Sequence, residues 1–432
     1  MKYLYILILS MFIVTSCGDL EQSPTNIASS NSLEEYGGVL NAAYFYQLGS
    51  VTPMAVMGDF RADNAFMDEP PFTEFDEFGP GLTAMEDQFF GPFYTAMYRS
   101  ILSANTVIEN STDATEVGEA RFLRGLSYFK LVRVFGAVPV NLEANPSVTD
   151  QSILARVSAS DVYNNVIIPD LEAARDALGT DIVNGRASRY AAQGMLGKVY
   201  MQMGNTGAAE SELAAVVNGA SGAGITLQEN FGDVFGFVND LNSEIIFATQ
   251  VSSSIVDEYG FSEFWSWSGG LDTKSLEPLE AGLVAAFDAS PGDLRRAVTI
   301  DTEVNASPKF PQTDGPDHDW IELRLADVIL LYAEALNENG NSSAAATELN
   351  KVRTRAGLGA TSASGQADLR TAIQNERRLE LAFEGQRWFD LVRTGTVNDA
   401  MGTTVDPNYH LFPVPISEIL SSFGVITQND GY

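Results

Sequence analysis

The chain has one cysteine, Cys17, and two histidines, His318 and His410, in 432 residues. A single thiol excludes a disulfide within the chain, and neither histidine stands at a spacing that would make it one of a set of metal ligands. The H-E-x-x-H and G-x-S-x-G motifs, the P-loop and the dinucleotide-fold glycine pattern are also missing. Basic charge is scarce: 25 Lys and Arg, only six of them lysine, against 57 Asp and Glu, for a formal charge of −32. A surface this acidic cannot neutralise phosphates, which excludes nucleic acid, and it disfavours adhesion to anionic headgroups. Acid pairs are abundant, so counting alone leaves room for a glycosidase with two carboxylates ~5–10 Å apart.

The long apolar run lies at the N-terminus, in MKYLYILILSMFIVTSCGDLEQ. Lys2 precedes a stretch from Tyr3 to Val14 that is too short for a mature membrane span and sits where a secretory signal belongs. It ends in Val14-Thr15-Ser16-Cys17, which looks like the lipobox of a bacterial lipoprotein. Residues 1–16 are therefore expected to be a signal peptide. Cys17 would be the point of lipid attachment, and residues 17–31 a polar leader running from the anchor. Several acyl chains hold a protein firmly where one binds only marginally. The mature chain would be a lipid-tethered globule outside the cytoplasm with a formal charge of −33, because Lys2 leaves with the signal. Its length is ample for one extended domain or two intimate ones.

Helical patterning starts near Ser32, gives way to an acidic, aromatic, loop-rich stretch at 58–92, and resumes to about Glu109. In 118–140, Phe122, Leu126, Phe129 and Val132 fall at three- and four-residue steps before Gly136 and Pro139 stop the run. A helix is predicted over about 158–178, capped by Ser158 or Ser160. Segments 186–217 and 321–352 then repeat each other. Aligned on Gly204-Asn205 and Gly340-Asn341, both read Gly-Asn, two residues, Ala-Ala, three residues, Leu. That pattern is a helical hairpin whose second helix packs through alanines. The helix ending at Gly136 is a looser copy, 68 residues before Gly204, twice the ~34-residue tetratricopeptide period. Residues 219–318 are turn-rich, with SEIIFATQV as a strand; helices return at 319–339, 342–356 and 366–393, ahead of an extended, turn-rich tail. The expected fold is mainly α, a tetratricopeptide-like helical-repeat scaffold whose long loop-rich insertions, 58–92 and 219–318, form the ligand-binding region.

Two of the four tryptophans, Trp265 and Trp267, lie in GFSEFWSWSGG at 260–270. In an extended chain residues two apart face the same way, so the indoles would form a platform for the apolar face of a sugar ring. Phe264 would add to it, and Glu263, Asp272 and the neighbouring serines would meet the hydroxyls. Burial of both indoles under the loop is the other reading. A second set, Phe60, Asp63, Asn64 and Phe66 with Phe72, Phe75 and Asp76, lies in the first excursion. Gly58 to Asp87 holds nine acids and one base, Arg61, and 252–273 holds four acids and no base. An anionic glycan would find nothing there to pair with, which favours a neutral one unless Arg99, Lys274 or Arg295-Arg296 folds in. The acids at 59–77 raise calcium as a cofactor, but their spacing lacks the hand-like loop pattern; no other metal or cofactor is expected. In ERRLELAFEGQRWFDLVRTG, Arg377, Arg378 and Arg387 face Glu376, Glu380, Glu384 and Asp390 at helical distances, and read as scaffold pairs that contribute little where exposed. Trp388, Trp320 and His410 read as packing, and His318 as a turn residue.

Four segments in order resemble the SusD/RagB family of outer-membrane nutrient-binding lipoproteins. They are EARFLRGLSYFKLVRVFGAVPV, RLADVILLYAEALNENG with LNKVRTRAGL, IQNERRLELAFEGQRWFDLVRTG, and YHLFPVPISEI with ITQNDGY. The resemblance spans essentially the whole chain and implies a single SusD-like domain over 32–432. It also implies a surface-exposed, outer-membrane, lipid-anchored protein of polysaccharide utilisation and nutrient uptake, facing the cell exterior. Such a protein binds oligosaccharide without catalysis and acts as the lid of a TonB-dependent (SusC-like) transporter. A surface glycan hydrolase, and a binder of peptides or other non-sugar nutrients, are the alternatives.

Overall fold

The computed structural model describes residues 35–67, 70–147, 150–182, 185–236, 240–251, 279–303, 305–310 and 318–432. Its main helices are α1 (Gly37–Tyr46), α2 (Gly91–Asn110), α3 (Ala114–Phe135), α4 (Ile168–Ala177), α5 (Arg189–Gln202) and α6 (Thr206–Gly219), then α7 (Ala281–Asp288), α8 (Leu325–Glu338), α9 (Ser342–Arg355), α10 (Gln366–Glu380) and α11 (Arg387–Thr394). Sequence neighbours pack on one another from α2 to α6. Helix α6 then meets α8, and α8 packs with both α9 and α10. The mainly α, repeat-built architecture is the one expected.

The repeat holds at the level of single hydrogen bonds. Gly204 and Gly340 take left-handed φ values of +73° and +86°, which glycine adopts without a Cβ clash. The N–H of Asn205 reaches the carbonyl of Tyr200 at 2.9 Å, and that of Asn341 reaches Leu336 at 2.8 Å. Both are the six-to-one bond of a Schellman turn. The following helices bury Ala209 with Leu213 and Ala345 with Leu349. Gly197 lets α5 approach α6, since a Cβ there would lie 2.4 Å from Leu213.

Strand β1 (Val138–Pro139) pairs antiparallel with β2 (Arg156–Val157), and β3 (Ile245–Thr249) with β4 (Trp320–Arg324). Strand β3 is the predicted one. Strand β4 corrects the helix expected from 319: pairing with β3 holds this stretch extended, and helix starts only at Leu325. Trp320 packs as expected, though on a strand. The helix over 158–178 begins at the Ser158 cap but is interrupted by a π turn, Tyr163–Ile167, just before Pro169, which has no N–H to offer. The expected loop at 58–92 is mostly short α, 3-10 and π turns that point Phe60, Phe75, Phe89 and Phe90 into the core.

The interior holds many ion pairs. The charges of 376–390, expected to pair with one another at helical spacing, mostly point inward to other elements. Arg324, fully buried, bonds Glu244 at 2.8 Å, Glu380 at 2.6 Å and Glu384 at 2.7 Å. Glu380 also takes Arg295 at 3.0 Å and Arg355. Arg377 links Asp327 at 2.8 Å to Asp390 at 3.0 Å, and Lys198 meets Asp327 at 2.8 Å. Burial alone would raise the Glu380 carboxyl, but Arg355, Arg324 and Arg295 outweigh it and hold it well below the usual range. Burial likewise opposes, and Arg324 and Lys309 overcome, at Glu384. A depressed folded pKa contributes stability that is present above the unfolded pKa of about 4 and is lost on acidification.

Two stability measurements test this frame. Arg324→Met would leave three buried carboxylates facing one another and should cost on the order of 3–5 kcal/mol in urea unfolding at neutral pH; a loss under about 1 kcal/mol would show that the network relaxes at little cost. The repeat contains its own control. Asn205 caps α6 by accepting the N–H of Ala208, whereas the Asn341 side chain makes no cap bond. Asn205→Ala should therefore lose about 1 kcal/mol and Asn341→Ala clearly less; equal losses would contradict the cap assignment.

Candidate functional site

The site is built where the first excursion meets the turn between α10 and α11. The expected helix over 366–393 breaks at 381–386, where Phe383 and Gly385 both take φ of +68°. Asp59, fully buried, holds that turn. Its carboxylate accepts the N–H groups of Phe383 at 3.1 Å and Gly385 at 2.5 Å, and the amide of Asn64 at 2.9 Å. Burial pushes Asp59 up to about 6, and those three donors partly offset the push. Gly58 lies against Gly385 so closely that a Cβ on Gly58 would sit 2.2 Å from the Gly385 carbonyl carbon.

Further along, Asp63 pairs with Arg387 at 2.6 Å and Arg378 at 3.1 Å. The Asn64 side chain accepts from Arg378 at 3.2 Å, and its carbonyl accepts the N–H of Glu280 at 3.0 Å. Ala65 bridges antiparallel to Leu279. The second excursion thus rejoins the described fold directly beside the first.

Arg61 is fully buried, and no carboxylate among the described residues lies within bonding distance of it. Its guanidinium lies over the rings of Phe78, Trp388 and Phe412 at 4.9, 5.3 and 5.2 Å. It also donates to the carbonyls of Phe75 at 3.0 Å and Tyr409 at 2.8 Å. Cation–π contacts of this kind are worth about 2 kcal/mol or more when desolvated. The cage sets Phe78, which stacks on Trp388 at 5.7 Å in a left-handed backbone, φ +47°, that a bulky residue adopts only when its surroundings enforce it.

Above the cage opens a pocket of about 750 Å³ lined by two aromatic rings, Phe66 and Phe78, by Asp76, Glu77, Glu280 and Asp406, and by Thr73, Thr403 and Thr404, with no Lys or Arg among the described lining residues. Burial pushes the Asp76 carboxyl up to about 7; the N–H of Met67, at 3.2 Å, opposes this and Glu280 adds to it. Among the described residues no group of three or more His, Cys, Asp or Glu is arranged to hold a metal ion.

Of the first-excursion residues proposed from sequence, Phe66 lines this pocket and three do other work. Phe60 is fully buried in the core and offers no ring face to a ligand. Asp63 and Asn64 are occupied by Arg387, Arg378 and Asp59, so they anchor the segment. Phe75 is buried as well, and Asp76 does reach the pocket. Cys17, Glu263, Phe264, Trp265, Trp267 and Asp272 lie outside the described residues. Sequence reasoning missed Phe78, Glu280 and the 401–406 wall. The turn-forming GTTVDP at 402–407 was the available signal for that wall. His318 is buried, edge-on to Phe310, where a turn residue was expected. His410 packs edge-on against Trp388 as expected.

The fold and this pocket define a class: a tetratricopeptide-like scaffold whose insertions carry an open, aromatic-walled, acidic pocket. The chain belongs to the SusD/RagB family. The SusD family model matches residues 294–432, and a model described as starch-binding associating with outer membrane matches residues 18–201. It is 27% identical to SusD-like protein P2 of Formosa agariphila across the full length of both chains. Among solved structures it superposes on a laminarin binding SusD-like protein with a TM-score of 0.76 at 25% identity, covering 92% of this chain and 99% of that one. It matches surface glycan-binding protein A from Bacteroides fluxus in fold, with a TM-score of 0.76 at 20% identity over 94% of this chain and the whole of the other.

Asp76 gives a testable pH effect. A carboxyl raised in the folded state contributes stability that is fully present below its unfolded pKa and is lost as pH rises through the folded value. The parent protein should therefore lose stability relative to Asp76→Asn as pH rises from about 4 to about 7. Urea midpoints of the two proteins across that range would show it, and a constant difference would refute a raised Asp76.

Proposed function

We propose that this chain binds oligosaccharide in the pocket walled by Phe66 and Phe78, at the outer-membrane surface, and delivers it as the lid of a TonB-dependent transporter. The observation carrying the reading is that both excursions converge there through the Ala65–Leu279 bridge, beside two aromatic walls and a polar rim. Aromatic faces stack on the C–H face of a sugar ring, while carboxylates and threonines meet its hydroxyls. The names of the laminarin-binding and glycan-binding relatives support the same ligand class. Four carboxylates, with no cation among the described lining residues, favour a neutral glycan over a uronate or sulfated one. In this reading Trp265 and Trp267, with Phe264, Glu263 and Asp272, also contribute to holding the glycan. Cys17, freed by removal of residues 1–16, carries the lipid that tethers the protein, facing the cell exterior.

One feature favours a second reading. A carboxyl raised to about 7 beside other carboxylates is what a glycosidase general acid needs. Reducing ends released from a bound polysaccharide, and abolished in Asp76→Asn, would establish hydrolysis in place of simple capture.

Titration calorimetry of the mature protein against neutral and uronic oligosaccharides, laminarin fragments included, tests the proposal. Phe66→Ala, and separately the Trp265→Ala, Trp267→Ala pair, should each weaken binding of a neutral glycan by ~1–3 kcal/mol, on the scale of stacking on an aromatic side chain. Preference for uronic chains would overturn the neutral assignment. Binding of peptides with no response to any glycan would overturn the ligand class.

A further inference from the structure

A second cavity, of about 330 Å³, lies along the outer side of α2 and shares no lining residue with the pocket just described. Its floor is apolar: Tyr98, Leu102, Pro139 and Ile426 line it, and Leu102 is 42% exposed. Tyr98 is half-buried, its ring tilted against that of Tyr94 at 4.6 Å, and its hydroxyl is turned inward to donate to the Pro139 carbonyl at 2.8 Å. What faces the cavity from Tyr98 is therefore ring and not phenol. The hydroxyl bond also fixes that ring in place.

Two opposite charges line the same cavity without meeting. Arg99 is exposed, lies 5.8 Å from the Tyr46 ring centre, and forms no ion pair with a described residue. Glu418 is half-buried on the short helix Ile416–Ser421, and its carboxylate has neither a hydrogen bond nor an ion pair among the described residues. Burial and the nearby Glu86 carboxylate raise Glu418. Glu86 is itself engaged, accepting the N–H groups of Ile416 at 2.6 Å and Ser417 at 3.0 Å, and so holds the helix that presents Glu418. A half-buried carboxylate without a donor is costly. A guanidinium offering only donors shares its cavity, and the floor between suits C–H groups.

We infer that this cavity is a second saccharide site, sized for one pyranose ring, which lays its C–H face on Tyr98 and Leu102 while its hydroxyls donate to Glu418 and accept from Arg99. A hydroxyl both donates and accepts, so neighbouring hydroxyls on one ring satisfy both charges without adding a net charge of their own. The site is independent of the oligosaccharide pocket and would give the protein a second, weaker hold on a long glycan. Linking two weak sites on one polymer raises its overall retention above either alone.

The test uses the mature protein with 13C-labelled Ile and Leu methyls, titrated with the methyl pyranosides of glucose, galactose, mannose and xylose. At least one should shift the Leu102 and Ile426 methyls saturably in the millimolar range. Phe66→Ala should leave that response unchanged, and Glu418→Gln and Arg99→Ala should each weaken it roughly tenfold or more. Silence across the four sugars overturns the site, as does a shift that survives both substitutions. Saturation of the same methyls by free phenylalanine but by no pyranoside would assign the cavity to a zwitterion and overturn it too. Loss of oligosaccharide binding elsewhere, with this response retained, would count against the first pocket alone.

Discussion

One guanidinium, that of Arg324, governs how β3, β4 and α10 meet. It sits at the junction of β4 and α8 and gathers Glu244 just before β3, Glu380 at the end of α10, and Glu384 in the turn beyond. Taking such charges out of water costs several kcal/mol per ion, which is recovered only where the geometry satisfies nearly every hydrogen-bonding group. The condition is met because further cations join from separate elements. Lys309 reaches Glu384 at 2.6 Å, and Arg355 and Arg295 reach Glu380. A half-formed version would be worse than none, so the network favours a single arrangement of β3, β4, α9 and α10 over any slipped alternative. It therefore explains why 320–324 is strand: Arg324 reaches all three acids from the end of a strand paired with β3.

From this floor the binding pocket is suspended by a short chain of contacts. The turn that contains Glu384 offers the N–H groups of Phe383 and Gly385 to Asp59, and Gly58 presses against Gly385. Asp63 and Asn64 then lock onto Arg378 of α10 and Arg387 of α11. Phe66 follows within two residues. The opposite wall, Phe78, rests on Arg61 and on Trp388 of α11, so both aromatic walls are referred to α11. A stacking surface supported this way loses little side-chain freedom when a ligand arrives, and less of the contact energy is given up in ordering it.

Much of the scaffold was legible because it is local. The Gly-Asn hairpins, the Ser158 cap and the strand at 245–249 each rest on residues within one or two turns of each other. The first excursion was not, because its order comes from partners more than 300 residues away. Nothing near Arg61 announces that Trp388 and Phe412 will enclose it, and nothing near Asp59 announces the N–H groups of Phe383 and Gly385. The same gap in sequence made Phe60, Asp63 and Asn64 look like exposed ligand groups when they are core and anchor. Phe66 and Asp76 were legible as candidates, but Phe78 and Glu280 acquire their role only through the left-handed turn and the Ala65–Leu279 bridge. The charge pattern of 376–390 misled for a related reason. Helical spacing is compatible with surface pairs, and only the neighbouring elements show that Arg377, Glu376 and Glu380 point inward.

The placement of charge has a consequence for selectivity. Lys130, Lys198 and Lys309 are buried, and so are Arg61, Arg124, Arg295, Arg324, Arg355 and Arg377. These nine cations are buried together with twelve Asp and Glu, so the interior nearly balances and the chain's excess of acid sets the outward field. Two distances then matter differently. Repulsion between the acidic surface and an approaching polyanion acts across solvent and fades beyond about 8 Å at physiological ionic strength. In the pocket Glu77 and Asp406 are exposed and screened in the same way, whereas Asp76 and Glu280 are partly buried, where ions and water screen less. Salt therefore relaxes the encounter with an anionic polymer more than its fit beside Glu280 and Asp76, so part of a preference for neutral chains at this site would persist in a saline medium.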